Sequence, residues 1–537
     1  MASRFTDKIT FFIKELQNRR RLKEITSQVA ERENLGGEQR PVVFFNASTR
    51  LDNISLNAAF SSLTAWGFRL SGIPVVHFVC QAGMSRCVLG SDPDDYTKKP
   101  PCAACMSQSR KLYDRANVQW TSYIEHAELA AALDGLKVEE LIGFDFQDQP
   151  LGQIVLPSIR WRMRRHHLRD DEGTRFLYRE FILSAYRVGQ EFGDLLDRVD
   201  PFVAIVFNGM MFPEAMARRE AQVRGIPVVT HEIGYQPFTG FFTTGDATER
   251  LVHLPNSYEL TEEQNSQLDA YLGKRFRGQF SMGGIQFWQG MSGLEEGFLE
   301  KMSQYEQVVP VFTNVIFDTS QPHANVVFEH MFAWLDVILE IIKVNPETLF
   351  VIRAHPDEMR PDSKKQSRET VRQWVQENRV AELSNVIFID SLEYMSSYDL
   401  IQRSKFVMVY NSSIGLEGTL LGAAVINGGE AWYTHYPTVF FPQTPQAFRR
   451  QLEEFFAAEK IEIPEEFQYN ARRLVYYQNF TAALPFGEYL ANHGRRGYVM
   501  FESFPVEQLK SENSSAVQAI QNGINNKHKV FALDEVA

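Results

Sequence analysis

Three segments of the chain share one connection: Leu70-Ser71-Gly72-Ile73-Pro74-Val75-Val76, Val223-Arg224-Gly225-Ile226-Pro227-Val228-Val229 and Leu421-Gly422-Ala423-Ala424-Val425-Ile426. In each, a helical run stops at a glycine, the residue that tolerates the left-handed conformation after a helix, and a β-branched strand starts at once. Such corners belong to doubly wound sheets. Strand-like and helical runs alternate through most of the chain, the pattern of parallel sheets covered by helices on both faces, so the expected class is α/β. With 537 residues, 44% of them hydrophobic, the chain can bury large cores and is expected to divide into domains.

Residues 1–40 read as a helical segment. A first Rossmann-like block then covers 41–255. It has strands over 41–45, 73–80, 202–207 and 226–230, a loop through Thr49-Arg50-Leu51-Asp52, a helix ending at residue 70, and a helix over 213–224 with proline in its first turn. Periodicity is poor over 256–305, where Gly283, Gly284 and Gly290 fall, and an interdomain passage is expected there. The second Rossmann-like block, 306–445, has strands over 309–317, 349–354, 385–389, 406–410 and 424–427. Helices over 324–342, 364–378, 396–402 and 414–421 separate them. In residues 446–537 aromatic helices are expected to pack back across the junction, followed by a loose polar tail through 511–529. Two such blocks predict a cleft, because ligands of doubly wound sheets bind beyond the carboxyl ends of the strands.

Charge narrows the partners. Lys and Arg total 55 against 67 Asp and Glu, a formal charge of -12, which argues against a nucleic-acid partner. No window approaches the roughly 18 consecutive apolar residues of a membrane span, and no secretory segment is evident, so a cytoplasmic protein is expected. Membrane contact is at most peripheral, at the inner face. Phe5, Ile9, Phe12, Ile13 and Leu16 recur at helical spacing ahead of Arg19-Arg20-Arg21, which suits either a helix lying on an anionic membrane or one docked on its own domain. The cluster Arg160, Arg162, Arg164, Arg165, His166, His167 and Arg169 either serves an anionic acceptor or is solvated. Only Trp161 interleaves it, which disfavours nucleic acid again.

The chemistry is expected at strand exits. In Arg353-Ala354-His355-Pro356, alternation puts Arg353 and His355 on one side and Pro356 ends the ladder, so a cation and an imidazole meet at the sheet edge, suited to a phosphate. The other reading is a surface arginine and a turn-capping histidine. In Asn411-Ser412-Ser413-Ile414-Gly415-Leu416-Glu417-Gly418, small polar residues open a helix whose first N–H groups suit an anion, Gly415 permits close backbone approach, and Glu417 suits a sugar diol. Capping by Ser412 or Ser413 with a solvated Glu417 is the alternative. Neither stretch matches the dinucleotide or Walker glycine patterns.

Thr313-Asn314-Val315-Ile316-Phe317-Asp318, Val351-Ile352-Arg353-Ala354-His355-Pro356 and Tyr410-Asn411-Ser412-Ser413-Ile414-Gly415-Leu416-Glu417 together resemble the C-terminal half of capsule-polysaccharide-biosynthesis glycosyltransferases of the GT-B class. The resemblance covers residues 309–441, about a quarter of the chain, with a looser similarity in Ala471-Arg472-Arg473-Leu474-Val475-Tyr476-Tyr477. It implies a nucleotide-sugar donor held through His355, Ser412 and Ser413, a glycan or lipid-linked glycan acceptor, and sugar transfer with no metal or other cofactor in catalysis. A nucleotide-sugar epimerase, a polyol-phosphate transferase and a non-catalytic assembly scaffold are the competing readings. In the first block the strand over 226–230 exits as His231-Glu232-Ile233-Gly234, and either Glu232 or His231 is the candidate base, or both steady the loop. Asp52, Asn208 and Asp318 also sit at strand exits, as sugar contacts or as structure.

All the cysteines of the chain, Cys80, Cys87, Cys102 and Cys105, fall within 26 residues and end in Cys-Ala-Ala-Cys. That clustering suits a structural zinc site; buried thiols or a redox pair are the alternatives.

Overall fold

The computed structural model describes residues 2–33, 39–47, 53–255, 257–279, 292–359, 366–495 and 497–533. The expected loop through Asp52, and Gly283, Gly284 and Gly290, lie outside these residues. The first half supplies β1 (Val42–Asn46), β2 (Ile54–Ser55), β3 (Val75–Cys80), β4 (Val118–Thr121), β5 (Val203–Phe207), β6 (Val228–Ile233) and β7 (Thr239–Thr243). The second supplies β8 (Gln307–Phe312), β9 (Thr348–Arg353), β10 (Val386–Ile389), β11 (Val407–Val409) and β12 (Val425–Asn427). Then come β13 (Leu484–Pro485), β14 (Leu490–Asn492) and β15 (Tyr498–Phe501).

One sheet runs β13-β7-β6-β5-β1-β3-β4, another β10-β9-β8-β11-β12, and a small third β14-β15-β2. The five-stranded sheet is parallel throughout, as is the β6-β5-β1-β3-β4 part of the larger one. Parallel sheets are covered on both faces, which is why β1 (Val-Val-Phe-Phe-Asn) and β9 (Thr-Leu-Phe-Val-Ile-Arg) are buried at every position. The three glycine corners form as read. Gly72, Gly225 and Gly422 have φ of 83°, 68° and 83°. After each, the next N–H reaches back to close the helix end: Ile73 to Phe68 O, Ile226 to Ala221 O and Ala423 to Gly418 O.

Several boundaries differ from the sequence reading. β6 continues through His231 and Glu232 to Ile233, because β7 pairs with it antiparallel and extends the ladder. β8 stops at Phe312, and the helix expected from 324 starts at Met331. The passage over 256–305 contains helices Glu262–Arg275 and Glu296–Met302; the first buries only Leu268 and Leu272, too few to mark a period.

The tail is not loose. Helix Ser515–Asn525 buries Ala516, Val517, Ala519, Ile520 and Ile524, and β13 adds a strand to the first sheet through β7. Val517 lies so close to helix Leu56–Leu70 that a Cβ on Gly67 would sit 2.9 Å from its methyl groups. The N-terminal helix Ala2–Arg32 docks on the same unit. Leu22, Ile25 and Val29 are buried, Asn18 accepts from Phe501 N at 2.9 Å, and Arg21 donates to Phe501 O at 2.7 Å. Opposite this docked face, Phe12, Ile13 and Leu16 are 60%, 48% and 40% exposed.

Because Ile520 is fully buried in the core that the tail completes, Ile520→Ala is expected to destabilise the protein by about 2–5 kcal/mol. Urea unfolding checks it; an unchanged midpoint would mean the tail helix is not part of that core.

Candidate functional site

A cavity of about 600 Å³ lies beyond the carboxyl ends of both parallel sheets. Asn46 at the end of β1, Cys80 at the end of β3, Phe207 and Asn208 at the exit of β5, and His231 and Glu232 of β6 line one side. Asn314 and Asp318 after β8, His355 and Asp357 after β9, Asn411, Ser412 and Ser413 after β11, and Trp432 after β12 line the other.

Glu232 is held rigidly. Its Oε1 accepts from Asn57 Nδ2 and Ile233 N, both at 2.9 Å, and its Oε2 accepts from Asn208 Nδ2 at 3.0 Å. Asn208 adopts a left-handed φ of 59° to make that reach, so its place at the strand exit serves Glu232. Neighbouring His231 is different. It is 1% exposed, stacks on Phe242 at 5.1 Å, and burial lowers its pKa to about 3. A histidine so reluctant to take a proton makes a poor base, and of the pair Glu232 is the group equipped to act.

On the other side, His355 Nδ1 accepts from Asp357 N at 3.1 Å. Ser413 precedes helix Ile414–Leu420 without making a side-chain cap bond, and Ser412 is bound through its carbonyl, which accepts from Tyr433 Oη at 2.7 Å. Asn411 Oδ1 accepts from Asn314 Nδ2 at 2.6 Å, tying the exits of β8 and β11 together. Asp318 accepts from Ser320 Oγ at 2.8 Å in its own turn.

Three expected contributors lie elsewhere. Arg353 is the last residue of β9 and does not line the cavity. It is buried, with Nη2 donating to Glu393 O at 3.4 Å, and burial lowers its pKa to about 10. The alternation that paired it with His355 fails because the strand ends between them. Gly415 faces Tyr433, whose Oη would lie 2.3 Å from an added Cβ, so its smallness serves packing. Glu417 is neither solvated nor in the cavity. Its Oε1 accepts from Arg275 Nε at 3.0 Å and Nη2 at 2.6 Å, and its Oε2 accepts from Tyr398 Oη at 2.5 Å, a buried pair linking two helices.

Two other arginines line the cavity, where the sequence reading had placed Arg353. Arg164 is 4% exposed, lines the cavity, and lies over Trp161 at 4.2 Å and Phe317 at 5.1 Å. Its Nε and Nη1 are buried without a hydrogen-bond partner. Burial, with Arg162 and Arg368 nearby, lowers its pKa to about 9. Arg250 also lines the cavity, over Tyr235 at 4.6 Å. Its Nη2 donates to Ile233 O at 2.7 Å, and its Nη1 is buried without a partner. Buried guanidinium N–H groups without a partner are costly, and those of Arg164 and Arg250 suit an anion. The basic cluster is therefore not simply solvated.

The four cysteines line the same cavity, and burial pushes the thiols of Cys80 and Cys87 up to about 12. Outside the cavity lining, His166, His167 and His330 have ligating atoms within 4.8 Å of one another. Hydrogen bonds occupy two of these rings. His330 Nδ1 accepts from Ala333 N at 3.1 Å, which leaves its Nε2–H to donate to His167 Nε2 at 3.2 Å, while His167 Nδ1 donates to Glu369 at 2.5 Å. That chain joins the two halves of the protein and spends the lone pairs a metal would need on His167 and His330.

With the geometry in place, comparison with known proteins bears on the second sheet. Residues 300–459 match the family model for capsule polysaccharide biosynthesis proteins. The resemblance seen in the motifs is thus upheld over β8–β12 and their flanks. Curated proteins give no match. Among solved structures, the chain is similar to the beta Kdo 2,4 transferase of Thermosulfurimonas dismutans KpsC at 13% identity and a TM-score of 0.33, covering 57% of this chain and 87% of that one. The beta Kdo 2,7 transferase of the same protein gives 13% and 0.32 over 63% and 89%, and the UDP-GlcNAc 2-epimerase of Neisseria meningitidis 12% and 0.25 over 81% and 98%. Likeness at this level carries no argument about the reaction.

At the cavity rim, His323 bridges Glu249 Oε1 at 3.0 Å and Asp246 Oδ2 at 3.5 Å, beside cavity-lining Thr248. Burial alone would lower its pKa, but the two carboxylates overcome that and raise it to about 9. A raised histidine stabilises the fold fully below its ordinary value near 6.5 and loses that contribution as pH rises through about 9. Between those values, stability relative to His323→Gln is expected to fall by at most about 1.4 kcal/mol per pH unit. Parallel urea titrations of both proteins across that range check it; identical pH profiles would remove the bridge from the account.

Proposed function

We propose that the chain is a GT-B glycosyltransferase acting in capsular or surface polysaccharide synthesis. In this reading the two sheets are Rossmann-like domains facing the cavity. A nucleotide-sugar donor sits against His355, Ser412 and Ser413, and a glycan or lipid-linked glycan acceptor enters beside Glu232. The observation that carries it is the shared cavity itself. A rigidly held carboxylate projects from one sheet's exits, an imidazole and hydroxyls from the other's, and two unsatisfied guanidinium groups stand in the wall. The family match over the second sheet supports the same assignment.

In the transfer step, the acceptor oxygen forms a bond to the anomeric carbon while that carbon's bond to the donor phosphate breaks. The phosphate leaves with the bonding electrons, and Glu232 takes the acceptor's hydroxyl proton. His355, the two serine hydroxyls and Arg164 meet the charge on the departing phosphate, so we assign the transfer no divalent ion. Trp432 and Tyr235, 6.2 Å apart at the cavity, offer flat surfaces to a base or sugar ring.

Glu232→Gln is expected to lower kcat by at least about 100-fold with nucleotide affinity retained. Arg164→Met should instead weaken nucleotide binding about tenfold or more, the value of one charge-assisted contact. A thermal-shift panel with UDP, GDP and CMP locates the donor class, since a nucleotide at 100 times its Kd adds about 2.7 kcal/mol. Absence of stabilisation by all three would remove the donor site.

A lipid-linked acceptor requires access to a membrane surface. Among the described residues no helix is long and apolar enough to cross one. The exposed Phe12, Ile13 and Leu16 stripe, beside exposed Arg19, Arg20 and Lys23, suits peripheral contact with anionic lipid. Sedimentation with phosphatidylglycerol-containing vesicles is expected to capture the protein, and the triple substitution Phe12→Ser, Ile13→Ser, Leu16→Ser to release it. Equal sedimentation with neutral phosphatidylcholine vesicles would count against charge-assisted docking.

A further inference from the structure

Cys80 ends β3, Cys87 lies in the connection that follows, and Cys102 and Cys105 open helix Cys102–Leu112. All four are held as thiols. All four line the same cavity, so the sulfurs gather in one stretch of its wall. Two of them receive the same backbone contact. Gly83 N donates to Cys80 Sγ at 3.1 Å and Gly90 N to Cys87 Sγ at 3.2 Å, a Cys-x-x-Gly turn used twice. A neutral thiol is a weak acceptor, whereas a metal-bound thiolate is stabilised and tuned by such donors.

The turns tolerate little else. A Cβ on Gly90 would stand 2.9 Å from Cys87 Sγ, and one on Gly83 2.7 Å from Thr121 O. The connection they belong to runs over 81–101 with no helix or strand, yet it buries Met84, Val88 and Ser91. Ordered connections of that length are uncommon in a compact unit and call for a tie. The two cysteines of Cys-Ala-Ala-Cys also sit at the start of a helix of 11 residues, where the backbone field favours negative sulfur.

We propose that Cys80, Cys87, Cys102 and Cys105 are the thiolate ligands of one metal centre in the cavity wall, tying β3, the 81–101 connection and helix Cys102–Leu112 together. Binding forms four metal–sulfur bonds and releases four thiol protons to solvent. Soft sulfur ligands select zinc or an iron–sulfur cluster. A tetrahedral zinc with bonds of about 2.3 Å holds its sulfurs about 3.8 Å apart. An iron–sulfur cluster, held by the same four thiolates, accommodates a wider arrangement of them.

Full-length protein purified anaerobically without chelator tests this directly by metal analysis, acid-labile sulfide and visible absorption. The expected result is metal held through sulfur, either about one zinc per chain without sulfide or iron with matching acid-labile sulfide. Cys80→Ser and Cys102→Ser should each lower that content about tenfold or more. Iron and zinc both below roughly a tenth of an equivalent in the wild-type protein, or metal retained in both variants, would overturn the proposal. The wild-type measurement stands even where a variant fails to fold. Metal content is read without a transfer assay, so this inference and the sugar-transfer reading fail separately.

Discussion

A parallel strand cannot be joined to its neighbour by a tight turn. Each crossover must travel back over the sheet, so every strand delivers its exit to the same edge. Here that constraint acts twice. Val-rich strands buried on both faces give no freedom to side chains within the sheets, and the polar residues collect in the connections that follow β1, β5, β8, β9 and β11. The cavity is where the exits of both sheets meet.

Charge is distributed by the same logic. The chain is acidic overall, yet its cavity holds Arg164 and Arg250 with N–H groups that the protein leaves unanswered. Some cations elsewhere meet a carboxylate, as Arg275 meets Glu417 and Arg218 meets Asp246, whereas buried Arg353 meets a backbone carbonyl. A guanidinium kept buried over Trp161 and Phe317 cannot be hydrated as it would be at the surface, so its desolvation is offset only when an anion arrives.

The sequence made the repeating framework legible because it rests on local chemistry. Gly72, Gly225 and Gly422 announce helix ends within a few residues, and β-branched runs announce strands. His355, Ser412 and Ser413 line the cavity because they fall within a few residues of strand ends, which the sequence marks. Arg353 and Glu417 misled for a common reason: burial and partners come from distant segments, Glu393 for one and Arg275 with Tyr398 for the other. Arg164 was hidden inside a run of basic residues, and its contact with Phe317, supplied by the other half of the chain, has no trace in that run. The tail helix carries a regular stripe of Val517, Ile520 and Ile524, but its polar composition, with Gln518, Gln521 and Asn522, reads as a loose tail.

The return of the chain has a consequence for biosynthesis. The first sheet acquires β13 through β7, its helix Leu56–Leu70 is covered by Ser515–Asn525, and the N-terminal helix rests on β15. Residues 41–255 thus leave the ribosome as an incomplete unit, with apolar surface awaiting partners encoded beyond residue 483. The five-stranded unit, contiguous over most of its length, is free to mature before its predecessor in the sequence does. N-terminal-first, domain-by-domain folding therefore cannot complete the wall bearing Glu232 until the tail has been made.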